Sequence, residues 1–127
     1  LERIAWFVID RSETFAALKT LFLPYAPRLT ITADDAKTYM LDGAYSKTMK
    51  RAMFFGGVRY GKNYVSLHLM PVYTNPELLS PISDRLRKRM QGKSCFNFNQ
   101  PEPDLFADLA LLIHAGFKKY DAEGYIA

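Results

Sequence analysis

A chain of 127 residues with 49% apolar and 24% charged side chains has the size and composition of one globular domain. Nine Phe, eight Tyr and one Trp exclude a disordered chain, and the single cysteine, Cys95, excludes an internal disulfide and a CxxC metal site. The net charge is +4, and the excess sits in one stretch: Asp84–Lys93 holds Arg85, Arg87, Lys88, Arg89 and Lys93 against Asp84, while the rest carries twelve charges of each sign.

The first apolar run, Ile4–Ile9, is far shorter than the ~20 residues of a membrane span. It also lacks the small-residue cleavage site of a secretory signal. A lone cysteine suits a reducing compartment, so the expected location is cytoplasmic. The chain opens at Leu1 and not at Met, which leads to the expectation that the native start is missing or processed. With no repeat, linker or low-complexity segment, residues 1–127 are expected to form a single domain.

Ser12 is the expected N-cap of a first helix whose Phe15, Leu18, Phe22 and Tyr25 recur at helical spacing. Pro24 and Pro27 are expected to end it. Leu29, Ile31 and Ala33 alternate with Thr30, Thr32 and Asp34, which predicts a strand. Thr38–Leu41 reads as a second strand and Asp42–Lys50 as a loop. Ala52–Tyr60 and Asn63–Met70, separated by Gly61-Lys62, predict a hairpin with a type II′ turn. That turn sets Tyr60 opposite Asn63, Arg59 opposite Tyr64 and Val58 opposite Val65. One face then carries Val58, Val65, Leu67 and Leu69. The other carries Phe55, Gly57, Arg59, Tyr64, Ser66 and His68.

Pro71, Asn75 and Pro76 interrupt the pattern. Ser80-Pro81 predicts a helix start, Ile82, Leu86 and Met90 its apolar stripe, and Gly92 its C-cap. Ser94–Phe98 alternates, with Phe96 and Phe98 on one side and Cys95 and Asn97 on the other. After Pro101 and Pro103 comes the strongest helix, with Leu105, Leu109, Leu112, Ile113 and Gly116 inward. Glu102 and Asp104 at its start and Lys118 and Lys119 at its end complement its dipole. The expected fold is α+β: a mainly antiparallel sheet of about five strands, two main helices on one face and the other face open.

The motifs are sparse. Gly92-Lys93-Ser94 has the end of a P-loop, but Arg87 stands where the motif needs Gly, and strand and helix come in the wrong order. Ser66 and His68 point the same way on one strand, with no acid placed to orient the imidazole. His114 lies beside the apolar stripe of the last helix and reads as structural. Cys95 has Lys93 and Arg89 nearby, which would lower a thiol's pKa, yet a small packing residue explains it better. No catalytic residue is assigned and no cofactor is expected. The ligand-binding candidates are Arg59, Tyr64, Ser66, His68, Cys95 and Asn97 on the open face, with Arg87, Lys88, Arg89 and Lys93 to attract an anionic group. The metal candidates are Asp34, Asp35 and Asp42.

Three blocks resemble one bacterial family: Lys62-Asn63-Tyr64-Val65-Ser66-Leu67-His68-Leu69-Met70-Pro71-Val72-Tyr73, then Pro76-Glu77-Leu78-Leu79, then Lys88-Arg89-Met90-Gln91-Gly92-Lys93-Ser94-Cys95-Phe96-Asn97-Phe98. Leu23-Pro24-Tyr25-Ala26-Pro27 adds to them. The chain resembles the YdhG-like domains, and the likeness runs from about residue 12 onward. It implies a frataxin-like fold, two helices on one face of an antiparallel sheet. It also implies iron-chaperone activity, as described for some members. Frataxins bind iron along an acidic ridge, for which this chain offers Glu13, Asp34 and Asp35 beside Lys19. The expected function is a non-enzymatic binding domain for a small molecule or a protein. Nucleic acid bound through the basic segment is the alternative, and no membrane partner is expected.

Overall fold

A computed structural model describes residues 10–127; the apolar run Ile4–Ile9 lies outside the described residues. Helix α1 spans Ser12–Thr20, and four strands follow: β1 Thr30–Asp34, β2 Thr38–Ser46, β3 Arg51–Tyr60 and β4 Val65–Leu69. Two short helices, α2 Met70–Thr74 and α3 Asp84–Arg87, flank a 3-10 turn at Pro76–Leu79. Strands β5 Met90–Gln91 and β6 Cys95–Phe98 lead into the long helix α4, Pro103–Ala122. The six strands form one antiparallel sheet in the order β1-β2-β3-β4-β6-β5. The protein is therefore α+β, with α1 and α4 as its two main helices packed on the sheet.

The core lies between those helices and one sheet face. Phe15 and Leu18 from α1 and Leu105, Leu109, Leu112, Ile113 and Phe117 from α4 are buried against Tyr39, Leu41, Val58, Leu67, Leu69, Phe96 and Phe98. Alternation on β4 and β6 produces this directly, because successive side chains of a strand point to opposite faces. Phe22 follows α1 and meets Phe55 edge to face at 6.1 Å, while Phe98 meets Phe106 at 4.9 Å.

Several local expectations change. The N-terminus of α1 is held by Asp10, whose carboxylate accepts from the Ser12 backbone N–H at 2.9 Å and from its hydroxyl. Ser12 itself is helical, and α1 ends at Thr20, before either proline. The backbone continues through hydrogen-bonded turns to Leu29, so Phe22 still reaches the core. Strand β1 is an edge strand: Ile31 is 47% exposed, and its pairing is interrupted between Ile31 and Ala33. Asp42–Ser46 belongs to β2 and not to a loop. The third helix is one turn long, capped by the Ser83 hydroxyl, which accepts from the Leu86 N–H at 3.1 Å. Met90 leaves it to pair with Phe96 in a sixth strand. Gly92 is needed for its positive φ of 73° in the β5–β6 turn, not as a helix cap.

The β3–β4 hairpin also departs from expectation. Its loop is four residues, Gly61–Tyr64, closed by the Gly61 N–H donating to the Tyr64 carbonyl at 2.9 Å. Gly61 does not take the positive φ of a type II′ turn. Tyr60 thus faces Val65, Arg59 faces Ser66 and Val58 faces Leu67. The register moves by two residues, and a shift of two returns every side chain to its own face.

A second irregularity does exchange faces. Leu41 pairs with Gly56 and Asp42 with Phe54, so the ladder skips Phe55. The bulge turns Phe55 into the core, beside Phe22, Phe117 and Tyr120. Such a bulge leaves ladder groups to be satisfied elsewhere. Here the Tyr120 hydroxyl donates to the Phe54 carbonyl at 2.7 Å.

Candidate functional site

Two rows of side chains cross the sheet face opposite the helices. One row is Met40 on β2, Gly57 on β3, His68 on β4, Cys95 on β6 and Gln91 on β5. The second is Thr38, Arg59, Ser66 and Asn97 on β2, β3, β4 and β6. Among the described residues no helix packs on this face, and Ser66, His68, Cys95 and Asn97 are half-buried.

The strands join these residues in pairs. Ser66 Oγ donates to Asn97 Oδ1 at 2.6 Å. Cys95 Sγ lies 3.0 Å from His68 Nδ1. Burial pulls the His68 imidazole below the ordinary histidine range, and the Arg59 charge pulls it further. Burial likewise pushes the Cys95 thiol up, against a smaller opposing effect of its hydrogen bond with Ser94. Both groups are neutral near pH 7. A thiol held protonated is a weak nucleophile, so the pair differs from an activated thiolate–imidazolium dyad.

Gly57 shapes the centre of the face. A Cβ there would collide with the Tyr39 carbonyl and sit 2.6 Å from Met40 Sδ. The thioether therefore lies against the glycine.

The face meets a polar cavity of about 360 Å³ at its β5–β6 edge, lined by Lys88, Arg89, Gln91, Asn97, Asn99 and Gln100, with Glu102 and Met90 beneath. The Asn97 N–H donates to the Arg89 carbonyl at 2.8 Å, which fixes that wall. Arg89 Nε and Nη2 donate to the two oxygens of Glu102 at 2.9 and 2.7 Å. Glu102 raises the already high pKa of the guanidinium through those hydrogen bonds.

The structure thus gathers Arg59, Ser66, His68, Cys95 and Asn97 on one face, and joins Lys88 and Arg89 to it through the cavity. Two residues expected on that face are elsewhere. Tyr64 sits exposed in the hairpin loop, and Phe55 is in the core. The basic segment is also less free than its composition suggests. Arg85 pairs with Asp104 and Arg89 with Glu102. Arg87 donates to the Leu79 carbonyl at 2.9 Å, and Lys93 lies over the Tyr73 ring at 5.9 Å. The two acidic partners come from the start of α4, so two of the five positive charges are paired within the fold.

The three aspartates do not come together as a ligand set. Asp34 pairs with Lys19 at 2.7 Å. Asp35 caps the β1–β2 turn by accepting from the N–H groups of Lys37 and Thr38. Asp42 lies three residues along β2 from Tyr39, the partner of Asp34. Among the described residues no group of three His, Cys, Asp or Glu side chains is placed to hold a metal. His114 is exposed at the surface of α4, with Nδ1 3.0 Å from the Tyr25 hydroxyl. No helix among the described residues is long and apolar enough to cross a membrane.

Met40, Gln91, Asn99 and Gln100 were not singled out from sequence. Met40 alternates with Tyr39 and Leu41, which places it on the outer face once those two are buried. The amide-rich Asn97–Gln100 stretch between Phe96 and Pro101 was the available signal for the cavity wall. Comparisons of the chain with protein-family models, with curated proteins and with solved structures give no match.

Proposed function

We propose that the chain is a non-enzymatic binding domain for a small anionic molecule rich in hydrogen-bonding groups, seated at the β5–β6 edge and reaching onto the outer sheet face. The observation that carries this reading is the cavity of about 360 Å³, in which amide side chains converge with Lys88 and Arg89. The volume falls in the range of small-molecule sites, roughly 300–1,000 Å³. Its lining is polar, so orientation would come from hydrogen bonds and not from apolar contact. Among the described residues Lys88 supplies the unpaired charge at the rim, while the Arg89 fork is taken by Glu102 and serves as a fixed wall of the cavity.

The order of one helix, a strand meander, a further hairpin and a long helix agrees with a YdhG-like, frataxin-like domain, and we place the chain there on that resemblance. A cytoplasmic setting suits its free Cys95. The iron-chaperone reading draws little support from Asp34, Asp35 and Asp42, which serve a salt bridge, a turn and a strand. Nucleic-acid binding draws little from a segment whose Arg85 and Arg89 are already paired.

Amide-resolved NMR titration with inorganic phosphate, citrate and a nucleoside monophosphate tests the proposal. Shifts are expected at Lys88, Gln91, Asn97 and Asn99 for at least one probe, and a Lys88→Ala, Asn97→Ala variant should lose them. Absence of any response at millimolar probe, or a response unchanged in the folded variant, would overturn it.

A further inference from the structure

We infer that a second pocket, between the β2–β3 turn, α2 and the end of α4, binds a free aromatic amino acid. Its cavity measures about 320 Å³, within the roughly 300–1,000 Å³ of small-molecule sites, and it shares no lining residue with the polar cavity at the β5–β6 edge. Its walls are of the opposite kind. Met49 in the β2–β3 turn, Met53 on β3 and Met70 at the start of α2 bring three thioethers to it. Tyr73, Tyr120 and Tyr125 add three rings.

The fold assembles this lining from segments distant in the chain. Gly124 takes a φ of 83° just past α4 and turns the chain back to β2, where the Tyr125 carbonyl accepts from the Ala44 N–H at 2.6 Å. Tyr125 then stands edge to face on Tyr120 at 5.3 Å, and Tyr120 is itself held by its bond to the Phe54 carbonyl. Met49 and Tyr73 are 47% and 53% exposed, large apolar groups left in contact with water beside an apolar pocket.

The charges choose the ligand. Arg51 and Glu123 both line the pocket, and neither has an ion-pair partner among the described residues. Both are felt at the Tyr120 hydroxyl. Burial is the main cause of its raised pKa; Glu123 adds to the rise, Arg51 opposes it, and Asp42 adds a smaller push from β2. A cation and an anion left apart beside an apolar floor suit a ligand with both charges and an apolar body. A lone carboxylate would pair with Arg51 but meet Glu123, and a lone amine the reverse. An amino-acid zwitterion satisfies both: its carboxylate takes the guanidinium and its ammonium takes Glu123. The side chain then lies among thioethers and tyrosine rings. Sulfur–ring and ring–ring contacts favour an aromatic side chain over an aliphatic one.

The test is NMR of the full chain labelled with ¹³C-methyl methionine and titrated with L-phenylalanine, 3-phenylpropionate and 2-phenylethylamine. The chain has five methionines, so the controls are internal. Phenylalanine should move the methyl signals of Met49, Met53 and Met70. Met40 on the outer sheet face should stay, and so should Met90, which lines the polar cavity. Phenylalanine should bind about tenfold tighter than either analogue, the scale of one charged hydrogen bond lost. Arg51→Gln should weaken phenylalanine binding by a similar factor, and Glu123→Gln should remove the discrimination against 3-phenylpropionate. Both residues are exposed, and far-UV circular dichroism checks that each variant is folded. Three unmoved methyls at millimolar phenylalanine overturn the site. Movement of Met90 alone does so too, since the ligand then sits in the polar cavity. So do a wild type that binds 3-phenylpropionate as tightly and an Arg51→Gln variant of unchanged affinity.

Discussion

Replacing Tyr120 with phenylalanine removes one oxygen from the core and tests the device that orients the sheet. Tyr120 is 1% exposed, and its hydroxyl donates to the Phe54 carbonyl at 2.7 Å, at the bulge that turns Phe55 inward. Burial drives the pKa of that hydroxyl far above the tyrosine range, with the nearby Glu123 adding to it, so the group stays a donor wherever the protein is folded. A cavity of about 170 Å³ lined by both Phe54 and Tyr120 gives water partial access to the carbonyl, which limits the loss. The ring remains in the variant, so cavity formation contributes little. A net hydrogen bond is worth about 1 kcal/mol, and because the acceptor is only part-buried the loss should stay near about 1 kcal/mol. With a urea m-value of roughly 1–3 kcal/mol per molar for a small domain, the midpoint should fall by on the order of 1 M. Urea unfolding followed by far-UV circular dichroism measures this, with Tyr125→Phe as the control. NMR amide shifts should change most around Phe54–Gly57. A midpoint equal to wild type would refute the reasoning, since the bulge would then hold without its donor.

Gly57→Ala should destabilise the domain by about 1–3 kcal/mol, because the new methyl meets the Tyr39 carbonyl, a backbone atom that cannot move aside; an unchanged thermal midpoint would show that β2 and β3 can separate there. For pH, the folded protein holds His68 below its unfolded pKa, so the unfolded state takes up more protons as pH falls. Stability should therefore be full above the ordinary histidine pKa and decline from there down to the depressed folded value, with Arg59 and Cys95 as the groups facing His68; in His68→Gln that decline, followed by denaturant midpoints across pH 5–8, should vanish. Arg85→Ala should leave stability unchanged, since both it and Asp104 are well exposed. Glu102→Gln should lose about 1 kcal/mol, because Glu102 is only 12% exposed and holds Arg89 through two hydrogen bonds. By freeing the Arg89 charge, the same variant should strengthen phosphate binding at the cavity, which calorimetry reads.

Where local chemistry was sufficient, the reading from sequence and the folded chain coincide. The inward set of α4 and the split of Phe96 and Phe98 from Cys95 and Asn97 follow from periodicities of 3.6 and two, which hold whatever the partner. The outer positions of Arg59, Ser66 and His68 were legible despite a wrong turn, because a two-residue slip conserves faces. Phe55 was not legible. Its placement depends on a bulge, whose Phe54 carbonyl is met by Tyr120, 66 positions away.

Charge shows the same division. Composition located the basic stretch at Arg85–Lys93, but only packing against the start of α4 brought Asp104 and Glu102 to it. His68 and Cys95 are 27 residues apart, and only the β4–β6 register set them side by side. Sequence alone thus determined which residues alternate along regular strands and which line the inner face of α4, since these depend on bonded neighbours and on period. The folded structure decided which of those residues meet, because strand register and bulges are selected by contacts between segments distant in the chain.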